Sequence, residues 1–385
     1  MKIFNSLDEF AAGAAGGNIA TAGDTANAPP EPSGQSVPPT RLAIGIFDGV
    51  HLGHREVIAG AVNGSAIGTA GTAGVLTFNP HPSRLFTPET PVPLIFDDAE
   101  NARRLAATGA AFLVRQPFTR DFAALDASAF LALLKRALPA LASIHVGDNF
   151  RCGKRRAAGV PELRVAGAAH GIEVVAAAEV RALGERVSST RIRQLLAAGD
   201  IADANTLLGA PYANTGSVVS GRALGRTIGF PTLNLRHEPE QLPRFGVYAV
   251  RVTVENSTTD AAPVVFAGIA NYGLRPTVER DATAGNAAAG AAAGADAAAV
   301  RPLLEVHLLD TGTVATGTIP ATGARLRVEW LRFIRPERKF PSLDALRAQI
   351  ATDIAAAGGT AGVLPVACSM SALAQNFLAS NMRPL

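Results

Sequence analysis

Residues 42–54 read LAIGIFDGVHLGH. The apolar run from Leu42 to Phe47 is a strand candidate, broken by a glycine turn, and a helix starts near His51. A strand that turns into a helix exposes free N–H groups and the positive end of a dipole, a combination that attracts phosphate. His51 and His54 lie three residues apart, on one helical face. Imidazoles placed there can donate to phosphate oxygens and stabilise charge on a reacting phosphate. Taken alone, HxGH fits two surface histidines as well. Metal ligation is a third reading, although no nearby cysteine or acid pair completes such a site.

Working outward, strand-like and helix-like segments alternate. Gly74–Phe78, Ala111–Val114, Ser143–Val146 and Ile172–Ala176 are short apolar runs. Helical stretches such as Asp97–Ala107 and Ala127–Ala137 lie between them. That order predicts an α/β domain, a Rossmann-like parallel sheet with helices on both faces. After residue 208 the pattern changes. Ser217–Ser220, Gly246–Thr253, Val264–Ile269, Leu303–Leu309 and Arg325–Phe333 are β-branched and punctuated by glycine and proline, with one helix at Ser342–Ala355. This second, all-β region reads as a small antiparallel barrel closed by a helix. The expected division is 1–200, 207–357 and a tail at 358–385. Two low-complexity stretches interrupt it: 11–40, read as a flexible loop, and the Ala/Gly-rich 281–300, read as a surface insertion.

Composition excludes several classes. No run of about 20 strongly apolar residues occurs, so no membrane helix is expected. MKIFNSLDEF lacks the apolar core of a signal peptide, which predicts a cytoplasmic protein. The two cysteines, Cys152 and Cys368, make neither a disulfide framework nor a metal site. A net charge of +3 without a basic stripe or RNA-binding motif argues against a nucleic-acid partner. Oligomeric state is not encoded in any of these features.

Further polar clusters follow the strands. Asn79-Pro80-His81-Pro82 and Gly147-Asp148-Asn149-Phe150 sit where ligands bind in parallel sheets, outside the carboxyl ends. Ser188, Ser189 and Thr190 form a hydroxyl-rich helix start, with Arg191 and Arg193 adding charge. In the second region, GSVVSGRALGRTIGFPTLNL at 216–235 carries glycines that allow close backbone approach to phosphates, and it is not a Walker loop. Thr232 and Asn234 are two apart in an extended segment and share a face, a spacing that suits Mg²⁺ held together with ATP phosphates.

Taken in order, GIFDGVHLGH, TFNPHP (77–82), VGDNFRCGKRRAAG (146–159) and VSSTRIRQLLAAGD (187–200) resemble the motifs of bacterial bifunctional riboflavin kinase/FAD synthetases, members of the HxGH nucleotidyltransferase superfamily. GRTIGFPTLNL, GVYAV (246–250), GIANYGLRPTV (268–278), LLEVHLLD (303–310) and RPERKFPSLDALRAQIATDI (335–354) extend the resemblance through the kinase half. The resemblance implies two ATP- and Mg²⁺-dependent reactions: phosphorylation of riboflavin to FMN, then adenylylation of FMN to FAD. It assigns ATP and phosphate contacts in the first half to Gly45, Phe47, Asp48, Gly49, Asn79, His81, Asp148, Ser188, Ser189, Thr190 and Arg193, with His51 and His54 catalytic. In the second half it implies ATP or flavin contacts at Gly221, Arg222, Gly225, Gly229, Pro231, Asn271 and Arg275. Thr232 and Asn234 hold the metal places and Glu305 that of the base. Arg335 and Arg338 are candidate phosphate or flavin-edge contacts. The chain departs from the family pattern at Ile46, Asn149, Cys152 and Leu233.

Overall fold

The structure, a computed structural model, describes residues 1–15, 38–64, 71–221, 228–236, 239–255, 264–274, 302–309 and 320–361. Arg222, Gly225, Arg275, Cys368 and the 281–300 insertion lie outside the described residues. The chain divides into two units, Met1–Ile192 with Leu207–Gly209, and Arg193–Thr206 with Ala210–Leu385.

The first unit runs β1 (Lys2–Phe4), α1 (Leu7–Ala15), β2 (Thr40–Ile44), α2 (Leu52–Asn63), β3 (Thr72–Asn79), α3 (Pro82–Phe86), α4 (Asp98–Ala106), β4 (Phe112–Pro117), α5 (Arg120–Ala124), α6 (Ala127–Ala137), β5 (Leu141–Gly147), α7 (Val160–His170), β6 (Glu173–Ala177) and a small hairpin, β7 (Arg181–Ala182) and β8 (Glu185–Arg186). α8 (Ser189–Ala198) and α9 (Ile201–Leu208) follow. The main sheet has the order β1-β4-β3-β2-β5-β6 and is parallel at every pairing. Both faces are covered. Leu42 and Ile44 of β2 join Leu76, Val114 and Ile144 beneath α6 and α7, whereas Ala43 joins Val75 and Leu113 beneath α2 and α4. From β2 the chain winds one way through β3 and β4, then returns to place β5 on the other flank of β2. The reversal lies between β2 and β5, and a ligand crevice opens outside the carboxyl ends of the strands at such a point.

Several boundaries differ from expectation; β4 runs to Pro117, for example, and in the second unit the strand expected from Ser217 starts at Tyr212 and the one expected to end at Ile269 runs to Leu274. β2 stops at Ile44 because Phe47 turns to φ 51°, outside the strand region. β1 adds an edge strand before the first expected one. Residues 11–15, expected as loop, continue α1, where alanine favours helix and Leu7 and Phe10 enter the core. The C-terminal helix runs on past Ala355 to Ala361.

The second unit is a closed barrel in the order β10-β13-β12-β11-β14-β9. Its strands are β9 (Tyr212–Val219), β10 (Leu233–Arg236), β11 (Gly246–Glu255), β12 (Val265–Leu274), β13 (Pro302–Leu308) and β14 (Arg325–Arg335), and α10 (Leu343–Ala361) follows. All strand pairings are antiparallel. Tyr212, Tyr248 and Tyr272 pack their rings around Trp330 in the core. α10 lies on the outside, where Ile350, Ile354 and Ala357 meet Ala249 and Ile269.

Candidate active sites

In the first unit the turn after β2 is strained. Phe47, Gly49 and Val50 have φ of 51°, 93° and 43°, and a β-branched residue in this region persists only where its surroundings hold it. Two bonds supply that hold: Thr77 Oγ1 donates to Ile46 O at 2.7 Å, and Ser189 Oγ donates to Asp48 O at 2.9 Å. The Asp48 carboxylate accepts Ile95 N–H at 3.0 Å, so it braces the loop. Phe47 is 1% exposed and its ring meets His54 edge-on at 5.3 Å. Its side chain is therefore a wall behind the histidine.

His51 is the N-cap of α2, and its Nδ1 accepts the His54 backbone N–H at 3.2 Å. The ring hydrogen therefore sits on Nε2. His51 stacks on His54 with centroids 3.5 Å apart and the planes 15° from parallel. The same device recurs at β3. His81 caps α3, its Nδ1 accepts Ser83 N–H at 3.1 Å, and Nε2 again carries the hydrogen. Ser188 caps α8 by accepting Arg191 N–H at 3.3 Å. Thr190 is exposed on that helix, and Arg193 belongs to the second unit.

Asp148, after β5, pairs with Arg186 at 2.9 Å, and Arg186 also reaches Glu179 at 3.3 Å. Cys152 is half-buried, and burial first, then Asp126 and Glu162, push its thiol up to about 11, so it stays protonated. Ile46, Thr77, Asn79, His81, Asn101 and Arg115 line a cavity walled by Leu94, Phe96, Leu105 and Leu113. The Oδ1 of Asn101 is buried there without a hydrogen-bond partner. Apolar walls with a few convergent polar groups suit a small-molecule pocket. Asn101, Arg115 and Arg186 were not legible as site residues, because each lies in an ordinary amphipathic or exposed segment.

In the barrel the candidate site is built by strand register. Glu305 of β13 stands opposite Asn234 of β10 on one side and Asn271 of β12 on the other. Leu304, Val306 and Leu308 are buried on the opposite face, so LLEVHLLD alternates more cleanly than its apolar run suggests. Leu233 pairs with Val306 and so lies away from the Asn234 face. Gly221 is needed beside Asn234: a Cβ there would lie 1.8 Å from the amide nitrogen. His307, two residues beyond Glu305, donates Nδ1–H to Pro231 O at 2.8 Å and ties the approach to Thr232 down. Thr232 is exposed just before β10, and Gly229 has φ 86°.

Arg335 and Arg338 both bond to the helix α10. Arg335 makes a forked pair with Asp353 of α10, Nη2 to Oδ2 at 2.8 Å and Nε to Oδ1 at 3.0 Å, with Asp353 2% exposed. Arg338 donates to Gln349 and lies over the Phe340 ring. Both fasten the 335–340 segment to the helix.

The comparisons agree with this two-part layout. A FAD synthetase family model matches residues 34–191 and a riboflavin kinase model matches 208–360. The bifunctional riboflavin kinase/FMN adenylyltransferase of Escherichia coli K12 is 36% identical over 81% of this chain and 90% of its own length. That of Bacillus subtilis is 31% identical over 81% and 89%. A solved structure described as a macrolide-efflux protein from Streptococcus pneumoniae superposes with a TM-score of 0.69 at 28% identity, covering 84% of this chain and 95% of that one. Among the described residues no helix is long and apolar enough to cross a membrane. With both models matched in order, and relatives above 30% identity over most of its length, the chain belongs to the bifunctional riboflavin kinase/FMN adenylyltransferase family.

Proposed function

We propose that the barrel transfers the γ-phosphoryl group of ATP to riboflavin and that the first unit transfers the adenylyl group of a second ATP to the resulting FMN. The observation that carries this reading is that each matched region holds a separate polar site within its own unit: histidines capping the helices after β2 and β3, and the Asn234–Glu305–Asn271 row on the barrel. In the kinase step Glu305 takes the proton of the riboflavin 5′-hydroxyl, the oxygen attacks the γ-phosphorus, and ADP leaves. In the second step an FMN phosphate oxygen attacks the α-phosphorus of ATP and pyrophosphate leaves. The Nε2–H groups of His51 and His81, with the open end of α2, stabilise the charge that develops. The cavity beside His81 gives the acceptor room.

Magnesium fits the barrel site. Thr232 and the buried Asn234, whose amide packs against Gly221, offer neutral oxygens beside the Glu305 carboxylate. Two or three protein oxygens suit an ion that takes its other ligands from phosphate and water. Bound there, it would neutralise phosphate charge.

The test is to incubate purified protein with riboflavin, ATP and Mg²⁺ and to identify products. Both FMN and FAD are expected. FMN alone would refute the adenylyltransferase half, and no FMN would refute the kinase half.

A further inference from the structure

We propose that Glu337 is a positioning residue for riboflavin: it fixes the orientation of the Asn271 amide, so that Asn271 presents a carbonyl oxygen to the hydroxyls of the sugar-alcohol chain. This rests on the reading of the barrel face around Glu305 as the kinase site.

Glu337 lies in the connection between β14 and α10, 66 residues from Asn271 of β12, the strand it meets. Asn271 Nδ2 donates to Glu337 Oε1 at 3.3 Å. An ionised carboxylate only accepts, so the amide must turn its amino end towards it. The carbonyl end is then what Asn271 offers a ligand. Each hydroxyl of a polyol carries a donor that needs such an acceptor, and Glu305 stands directly across the ladder from Asn271.

The surroundings hold the carboxylate in place. Gly273 lies on the same face of β12, and a Cβ there would lie 2.7 Å from both Glu337 oxygens. A side chain at 273 would push the carboxylate away from the strand. The backbone that carries Glu337 is fixed on both sides: Arg335 pairs with Asp353 and donates to Pro336 O at 3.1 Å, and Arg338 bonds Gln349. Glu337 is exposed, and these restraints on its neighbours set it apart from a glutamate on a free loop.

The experiment is steady-state FMN formation by the full chain carrying Glu337→Ala or Glu337→Gln, with Glu305→Gln run alongside. Loss of one oriented hydrogen bond gives a rise of about tenfold in KM for riboflavin in Glu337→Ala. Its kcat stays within about threefold and its KM for ATP is unchanged. Glu337→Gln keeps a carbonyl acceptor for Asn271 and retains most of the wild-type KM. Adenylylation of supplied FMN and the unfolding midpoint followed by Trp330 fluorescence remain at wild-type values in both variants. An unchanged riboflavin KM in Glu337→Ala overturns the proposal. So does an equal rise in the KM for ATP, a glutamine variant as impaired as the alanine one, or a KM change that tracks a lowered midpoint. Full kinase activity in Glu305→Gln would sink the base assignment while leaving the Glu337 readout intact, so the two failures are separable.

Discussion

The two units assemble their polar sites by different means. In the first, His51, His81 and Ser188 each cap a helix that starts just after a strand or hairpin, so every piece is a short contiguous motif. In the second, the row is made of Asn234, Glu305 and Asn271, drawn from three strands and aligned only by ladder register. In the capped-turn site each cap and its helix are neighbours in the chain, although the turn after β2 also leans on Thr77, Ile95 and Ser189. A register site fails if one strand slips by a residue, because the slip moves every side chain to the other face. The difference teaches that polar clusters within one chain can depend on helix caps in one unit and on strand register in the other.

The sharpest way to test that separation is Glu305→Gln, which keeps shape and hydrogen bonding but removes the base. Riboflavin phosphorylation should fall by about 10²–10⁴. Adenylylation of supplied FMN should hold at the wild-type rate. Near-normal FMN production would reduce Glu305 to a solvated strand residue.

The mirror experiment is at the histidines. His51→Ala and His54→Ala should each cut FAD formation by roughly 10²–10³ and spare FMN formation. Because His51 also caps α2, His51→Ala should lose about 1 kcal/mol of stability that His51→Asn restores. If the asparagine variant regained FAD synthesis along with stability, the cap and not the imidazole would be the active element.

A smaller effect separates the units themselves. Asn205 donates to Trp330 O at 2.8 Å and accepts Tyr212 N–H at 2.6 Å. Arg244 N–H donates to Leu196 O at 3.0 Å. A fragment covering 193–361 keeps these bonds, whereas one covering 207–357 loses them and the end of α10. The longer fragment should make FMN without FAD, and it should be more stable in urea by about 1–3 kcal/mol. Equal midpoints for the two fragments, read by Trp330 fluorescence, would show that residues 193–206 contribute nothing to the barrel.

The least effect is expected from deleting 282–299, which is alanine- and glycine-rich with almost no groups for chemistry. Closure entropy grows only slowly with loop length. Both activities should remain near wild type, and a kinase rate that drops in a folded deletion protein would assign the insertion a part in the barrel site.

The sequence by itself determined the fold class of each half. Apolar runs alternating with helical periods can bury both faces only as a parallel sheet between helices, and the β-branched, glycine-punctuated run that follows has no second helix to cover a parallel sheet. It also determined the motif residues that follow one another in the chain, since a cap and its helix are neighbours. Strand ends shifted by a few residues, because the turn at Phe47 depends on bonds from Thr77 and Ser189 that no local pattern shows. The tertiary structure alone decided which polar groups meet. It set Asp48 against Ile95, paired Asp148 with Arg186 and Arg335 with Asp353, and brought Glu337 to Asn271. Each of these pairs joins residues from different elements. Their contact is fixed by how those elements pack, and side-chain type alone does not reveal that a charge will be spent on a neighbour before a ligand arrives.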